Sequence, residues 1–295
     1  MHPHYRDSLP LGDPDGLPYS KGVMARALVS AGAEIESAYV LATRLELDLI
    51  ATGAQAVELE RLEEAAIEVL GEDKGLRIVQ RLRGLATLQA LDVPIVLLVG
   101  GATGTGKSTV ATEAAHRLGI TRVTSTDFIR QTIRAYFPRT TMPSVHASSF
   151  EAGGPVGSVE AGFMEQTRRV LVGVDASIDR ALNEGWSMAI EGVHLVPGMV
   201  RPVIEGALLV HAVLHVESIE EHRDHFVVRD AGTGGVRALD KYIDGLDEIR
   251  ELQELIVERA VRYDVPVIES TTVEATTAAL LDLVLSRSEQ IAALL

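Results

Sequence analysis

The sequence predicts an α/β fold, a five-stranded parallel sheet wrapped by helices, with a small all-helical domain ahead of it. Three observations carry that expectation. From Tyr19 to about Leu91, apolar residues recur at three- and four-residue spacing, the period of helices with one buried face. At Asp92-Val93-Pro94 the period changes, and PIVLLVG is a continuous apolar run suited to a strand buried on both faces. Beyond it, strand-like and helix-like segments alternate to the C-terminus, the pattern of right-handed crossovers between parallel strands.

The elements follow in order. Residues 1–18 carry Pro, Gly and Asp and read as an irregular lead-in. Four helical runs come next: VMARALVSAG, AEIESAYVLATRLELDLIATG, AVELERLEEAAIEVLG and GLRIVQRLRGLATLQAL. Gly-containing segments separate them, and together they define a domain over 1–91. The second domain, 92–295, opens on the strand PIVLLVG. A strand RVTST (122–126) leads into a helix from Phe128, and a long helix runs from about Ser158 to Asn183. MAIEG is the third strand and ALLVHAVLHV (207–216) the fourth; a charged helical stretch then reaches Tyr263. PVIES is the fifth strand, and a closing helix ends at Leu295.

Composition bounds the function. With 46% hydrophobic and 23% charged residues the chain can bury a substantial core, and with aromatics at 4% that core must rest on aliphatic side chains. A net charge of −15 repels a phosphate backbone, so no nucleic-acid partner is expected, although a few arginines in one cleft suffice for an anionic metabolite. The absence of cysteine excludes disulfides, thiolate metal sites and cysteine nucleophiles. The opening MHPHYRDSLPLGDPDG has no apolar core of a signal peptide, and no run approaches the ~20 apolar residues of a membrane helix. A cytoplasmic protein without a membrane partner is the expectation.

Gly101-Ala102-Thr103-Gly104-Thr105-Gly106-Lys107-Ser108 fits G-x-x-x-x-G-K-[ST], with Thr109 following. The glycines let backbone N–H groups curl around phosphate oxygens, and the helix that starts near Lys107 aims its positive end at the same anion. Lys107 would reach the β- and γ-phosphates of ATP, and the Ser108 hydroxyl would ligate Mg²⁺. A chance match in a chain of this length is on the order of one percent. The buried strand before the loop and the amphipathic STVATEAAHRL after it lower that further.

Sites in open parallel sheets lie beyond the carboxyl ends of the strands. Asp127 closes the second strand in this reading and Glu191 the third. One acid would hold Mg²⁺ through water, and another would orient or deprotonate an acceptor hydroxyl. Asp127 also suits a helix cap. Glu191 ends an apolar strand, where burial without a partner would be expensive. Arg130, one turn after Asp127, could clamp an anionic substrate or stand solvated on the surface. His194 in EGVHLVPG is a substrate ligand or a structural histidine. The stretch EEHRDHFVVRDAGTGGVRALDKYIDGLDEIRELQ, with its break at Gly232–Gly235, resembles a closing lid. Of its cations, Arg223 and Arg229 are the candidates to neutralise charge on the transferred phosphoryl; the alternative is a solvated helical hairpin.

LPYSKGVMARAL, LLVGGATGTGKSTVA, TRVTSTDFIR, VHASSF, AIEGVHLVPG and DKYIDGLDEIRELQ run through nearly the whole chain in the order of the 2-phosphoglycerate kinase family, which the sequence resembles. The resemblance implies an ATP-cone-like N-terminal domain followed by an adenylate-kinase-like phosphate-loop kinase domain. It implies transfer of a phosphoryl group from ATP to 2-phosphoglycerate, giving 2,3-bisphosphoglycerate. Asp127, Arg130, His146, Ser148, Ser149, Glu191 and His194 would then line the acceptor pocket. Two departures stand out: His225 precedes the lid residue Phe226 where relatives carry a basic residue, and the short acidic lead-in lacks the basic hairpin of ATP-cones. The helices could accordingly serve a structural or homo-oligomeric purpose. Other open readings are an ATP-binding regulatory switch without an acceptor, a kinase for another hydroxy acid such as phosphorylated mevalonate, and a toxin-like kinase of nucleotide sugars.

Overall fold

The structure, a computed structural model, describes residues 19–154, 158–233 and 239–293 (the backbone alone at 229–233). The chain divides into two compact units, residues up to Asp92 with those from Asp282 onward, and Val93–Leu281.

The first unit holds α1 (Lys21–Ser30), α2 (Ile35–Thr52), α3 (Leu59–Leu70) and α4 (Glu72–Ala90). Ser20 caps α1 by accepting from the Val23 amide, and Gly53 ends α2 in the left-handed conformation. Met24, Leu28, Leu41, Leu45, Leu62 and Leu82 are fully buried and form its core. α3 and α4 pack backbone to backbone: a Cβ at Gly75 would stand 2.8 Å from the carbonyl carbon of Ala66. The end of α11 (Val273–Ala292) completes this unit, with Leu285 against Gly84 and Arg81 forking Asp282 at 2.6 and 2.9 Å.

The second unit is built on β1 (Ile95–Gly101), β2 (Val123–Ser125), β3 (Met188–Glu191), β4 (Leu208–His215) and β5 (Val267–Glu269), in the order β2-β3-β1-β4-β5 with every pairing parallel. This is the five-stranded parallel sheet the sequence predicts. β1 is buried at every residue, which is why its apolar run is unbroken. Helices α5 (Lys107–Arg117), α6 (Thr126–Tyr136), α7 (Val159–Asn183), α8 (Ile219–Thr233), α9 (Leu239–Asp244) and α10 (Leu246–Arg262) connect the strands. Single 3₁₀ turns at Ser144–His146 and Ser149–Glu151 lie between α6 and α7. Val96 and Leu98 of β1 pack with Val170, Val174 and Ile178 of α7, while Val213 of β4 packs with Ile249, Leu252 and Ile256 of α10.

Register decides where the chemistry sits. Glu191 pairs with Val99 on one side and Ser125 on the other, so the carboxyl ends of β1, β2 and β3 share one edge of the sheet. One expected boundary is corrected. β2 stops at Ser125, whose hydroxyl accepts from the Phe128 amide (3.1 Å) and starts α6 at Thr126. Asp127 therefore belongs to the first turn of a helix and does not close a strand. Of the expected break at Gly232–Gly235, α8 takes in the first two positions and the rest lie outside the described residues. No described helix is long and apolar enough to cross a membrane.

Candidate active site

The phosphate loop lies between β1 and α5. Gly101, Gly104 and Gly106 have φ of 137°, 90° and 76°, conformations that L side chains rarely adopt. At Gly104 a Cβ would also stand 2.5 Å from Cζ of Phe226. Three of the loop's carbonyls accept hydrogen bonds from side chains. Ala102 accepts from Lys107 Nζ (2.5 Å) and from Thr105 Oγ1 (3.0 Å). His222 Nε2 donates to the Thr103 carbonyl (2.8 Å), and His225 Nδ1 to that of Gly104 (2.9 Å). The two histidines lie three residues apart on α8, so one helix face grips the loop. His222 is fully buried and stacks on Phe226 with centroids 5.4 Å apart; burial pushes its pKa down to about 4, which keeps the ring neutral. Burial also lowers the pKa of Lys107, against the opposing pull of Glu191 and Asp127.

A cleft of about 570 Å³ opens over this loop, with Lys107, Ser108, Thr109, Asp127, Glu191 and His225 in its lining. Ser108 Oγ donates to Glu191 Oε1 at 3.0 Å, so the buried carboxylate is satisfied by the loop's own hydroxyl. The Asp127 side chain is 60% exposed and bonds Arg130 Nε at 3.2 Å. The helix cap that Asp127 could have supplied comes from Ser125. Arg130 is buried, and its Nη1 donates to the carbonyls of Val145 (3.2 Å) and Ala147 (2.8 Å), pinning the segment before α7.

That segment has a second tether. Gln166 of α7 donates from Nε2 to the carbonyls of Ser144 (2.5 Å) and Ala147 (3.1 Å). Its Oε1 is therefore the acceptor, and His194 Nε2–H donates to it at 2.9 Å. Nδ1 of His194 then accepts from Thr126 Oγ1 at 2.8 Å. His194 has no exposed surface, and burial drives its pKa down to about 3. The expected place for His194 in a substrate pocket is thus corrected: both ring nitrogens are engaged in the interior, between the start of α6 and α7. It positions the residues that border the pocket without reaching it.

A second cleft of about 830 Å³ is lined by Arg130, His146 and Ser148, together with Arg134, Arg139 and Lys241. His146 Nε2 donates to the Phe137 carbonyl (2.8 Å), and Ser149 is buried behind the lining. Asp127 borders the first cleft and Arg130 the second, and their hydrogen bond joins the two. Arg223 is exposed and lines neither cleft, so α8 meets the loop through histidines in place of the expected arginine; the side chain of Arg229 falls outside the described residues. Sequence reasoning missed Gln166 and Thr126, which topology alone brings to His194, and also Arg134. The i, i+4 spacing of Arg130 and Arg134 was its only signal.

Among the described residues no cluster of three or more His, Cys, Asp or Glu stands ready for a metal ion. The oxygen donors of Ser108, Glu191 and Asp127 in the first cleft nevertheless suit a hard divalent cation that keeps water and phosphate ligands, as Mg²⁺ does.

Fold and loop together define a phosphate-loop α/β protein built to bind a nucleoside triphosphate beside a second, cationic cleft. No family model matches the chain. The 2-phosphoglycerate kinase of Pyrococcus furiosus is 36% identical over 281 residues, covering 93% of this chain and 92% of its own. Those of Pyrococcus horikoshii (34%; 95% and 94% covered) and Methanopyrus kandleri (32%; 88% and 81%) are similar. The chain belongs to the 2-phosphoglycerate kinase family. A gluconokinase structure from Sinorhizobium meliloti 1021 covers 68% of this chain and 94% of its own at a TM-score of 0.39 and 14% identity, a likeness too slight to carry an argument.

Proposed function

We propose that the protein is a kinase that transfers the γ-phosphoryl group of ATP to the free hydroxyl of 2-phosphoglycerate, giving ADP and 2,3-bisphosphoglycerate. The observation that supports it best is the Asp127–Arg130 bond, which joins the phosphate-loop cleft to the cationic cleft and leaves an acidic side chain between donor and acceptor sites. Family membership over nearly the full chain agrees with it.

In this reading the amides of Gly101–Ser108 and the Lys107 ammonium bind the β- and γ-phosphates, and Lys107 exchanges the Ala102 carbonyl for a phosphate oxygen. Ser108 and Glu191, with Asp127 through water, would hold Mg²⁺, which when bound would neutralise charge on the phosphates. Asp127 orients the acceptor hydroxyl and takes its proton as the new P–O bond forms and the bond to the β-phosphate oxygen breaks. Arg130, His146, Ser148 and Ser149 shape the acceptor side, with His194 behind them. Arg223 would reach the phosphates only if α8 closed further. The helical unit is read as an ATP-cone-like accessory module, and the protein as cytoplasmic.

The test is ADP release with Mg-ATP and a panel of 2-phosphoglycerate, 3-phosphoglycerate, glycerate and mevalonate phosphates. Turnover selective for 2-phosphoglycerate is expected. Turnover with another acid replaces the acceptor, and ATP binding without turnover on any of them refutes the kinase reading.

A further inference from the structure

The kinase reading leaves open what holds the phosphate that the acceptor already carries, and the second cleft answers that. Four cations line it, against the carboxylates of Glu151 and Glu248. Arg130 is engaged by Asp127 and two carbonyls, and Lys241 by Glu151 at 2.7 Å. Arg134 and Arg139 pair with no carboxylate among the described residues. Moreover, Nε of Arg134 is buried without a hydrogen-bond partner. A buried N–H with no acceptor carries its full desolvation cost, which a ligand oxygen would remove. In a chain of net charge −15, two unneutralised guanidiniums in one cleft concentrate positive potential where an anion can use it.

Resting on the phosphotransfer reading, we propose that Arg134 and Arg139 bind the phosphomonoester group of the acceptor. Planar guanidinium forks match the several oxygens of a phosphate better than a single carbonyl or hydroxyl. Asp127, Arg130 and Arg134 follow one face of α6, with Asp127 and Arg134 about 10 Å apart along the axis. A ligand gripped at Arg134 with its hydroxyl at Asp127 is therefore short, the size of a three- or four-carbon acid. Arg130 is a brace for this site and Arg134 a direct ligand.

The experiment is calorimetric binding of 2-phosphoglycerate and of glycerate, without nucleotide, to the wild-type protein, Arg134→Gln and Arg139→Gln, with ATP binding as the check on folding. Each substitution should weaken 2-phosphoglycerate roughly 10–100-fold while glycerate and ATP affinities stay unchanged. Arg139 is exposed, so Arg139→Gln decides the matter if Arg134→Gln does not fold. Folded variants that bind 2-phosphoglycerate as the wild type does overturn the proposal, even if the enzyme turns that substrate over. Binding lost with the arginines, in a wild-type protein that binds 2-phosphoglycerate but never phosphorylates it, upholds the site and sinks the kinase reading. Failure of the wild-type protein to bind any phosphomonoester overturns the site.

Discussion

Lys107 is held as a buried ammonium on a backbone carbonyl, with its pKa lowered by burial, a state that phosphate oxygens would relieve. Its replacement by alanine should lower kcat by roughly a hundredfold or more. The fold should survive, because Ala102 O keeps its bond from Thr105 Oγ1. Near-wild-type turnover in folded Lys107→Ala would refute the loop's catalytic role. Asp127→Asn should cost roughly 10²–10⁴ in kcat. Arg130 retains two carbonyl partners in that variant and Ser125 retains the cap, so the melting temperature should hardly move. A change in melting temperature with kcat intact would make Asp127 structural. At this scale the phosphate loop was legible because its chemistry needs glycines and a lysine at fixed spacing. His194 was not, since its partners Thr126 and Gln166 lie 68 and 28 residues away.

Elements place these residues, and α6 does most of it. Ser125, Thr126 and Asp127 are all residue types that cap helices, and the sequence pointed to Asp127 alone. Sheet register decides otherwise: Ser125 pairs with Glu191, and the next residue leaves the sheet. Ser125→Ala should cost about 1 kcal/mol, read as a lower urea midpoint at constant slope. Gly192, with φ of 151°, fixes the other side of this junction, because a Cβ there would stand 1.8 Å from Thr126 Oγ1. Gly192→Ala must therefore push Thr126 off His194 and disturb Asp127 beside it. A lower melting temperature together with a lower kcat is the expected outcome; a change in neither would show that α6 does not depend on this packing. The strands were legible as buried apolar runs. The grip of α8 on the phosphate loop was not, because a histidine bound to a carbonyl leaves no pattern in the sequence.

Over the whole molecule, the neutral histidines tie stability to pH. His194, His211 and His222 have pKa values of about 3, about 4 and about 4, each lowered mainly by burial. In the unfolded chain each would titrate near 6.5. Between about 6.5 and 4 the unfolded state therefore binds more protons than the folded one, and stability must fall as pH falls. Above about 6.5 both states are deprotonated at these sites, and the contribution is present in full. Each such histidine contributes a slope of about 1.4 kcal/mol per pH unit within that window. Most of the window lies above the pH at which ordinary carboxylates take up protons, so the histidines should dominate from pH 6.5 to about 5. Urea midpoints measured from pH 8 to 5 should be level at first and then decline. His211 is the one to test, since it lies outside both clefts and donates to the Leu195 carbonyl at 3.2 Å. His211→Gln keeps an N–H donor but cannot titrate, so it should flatten the decline by one histidine's share. A wild-type profile level down to pH 5 would mean that these rings accept protons without unfolding, and that the interior around them is wetter than their burial implies.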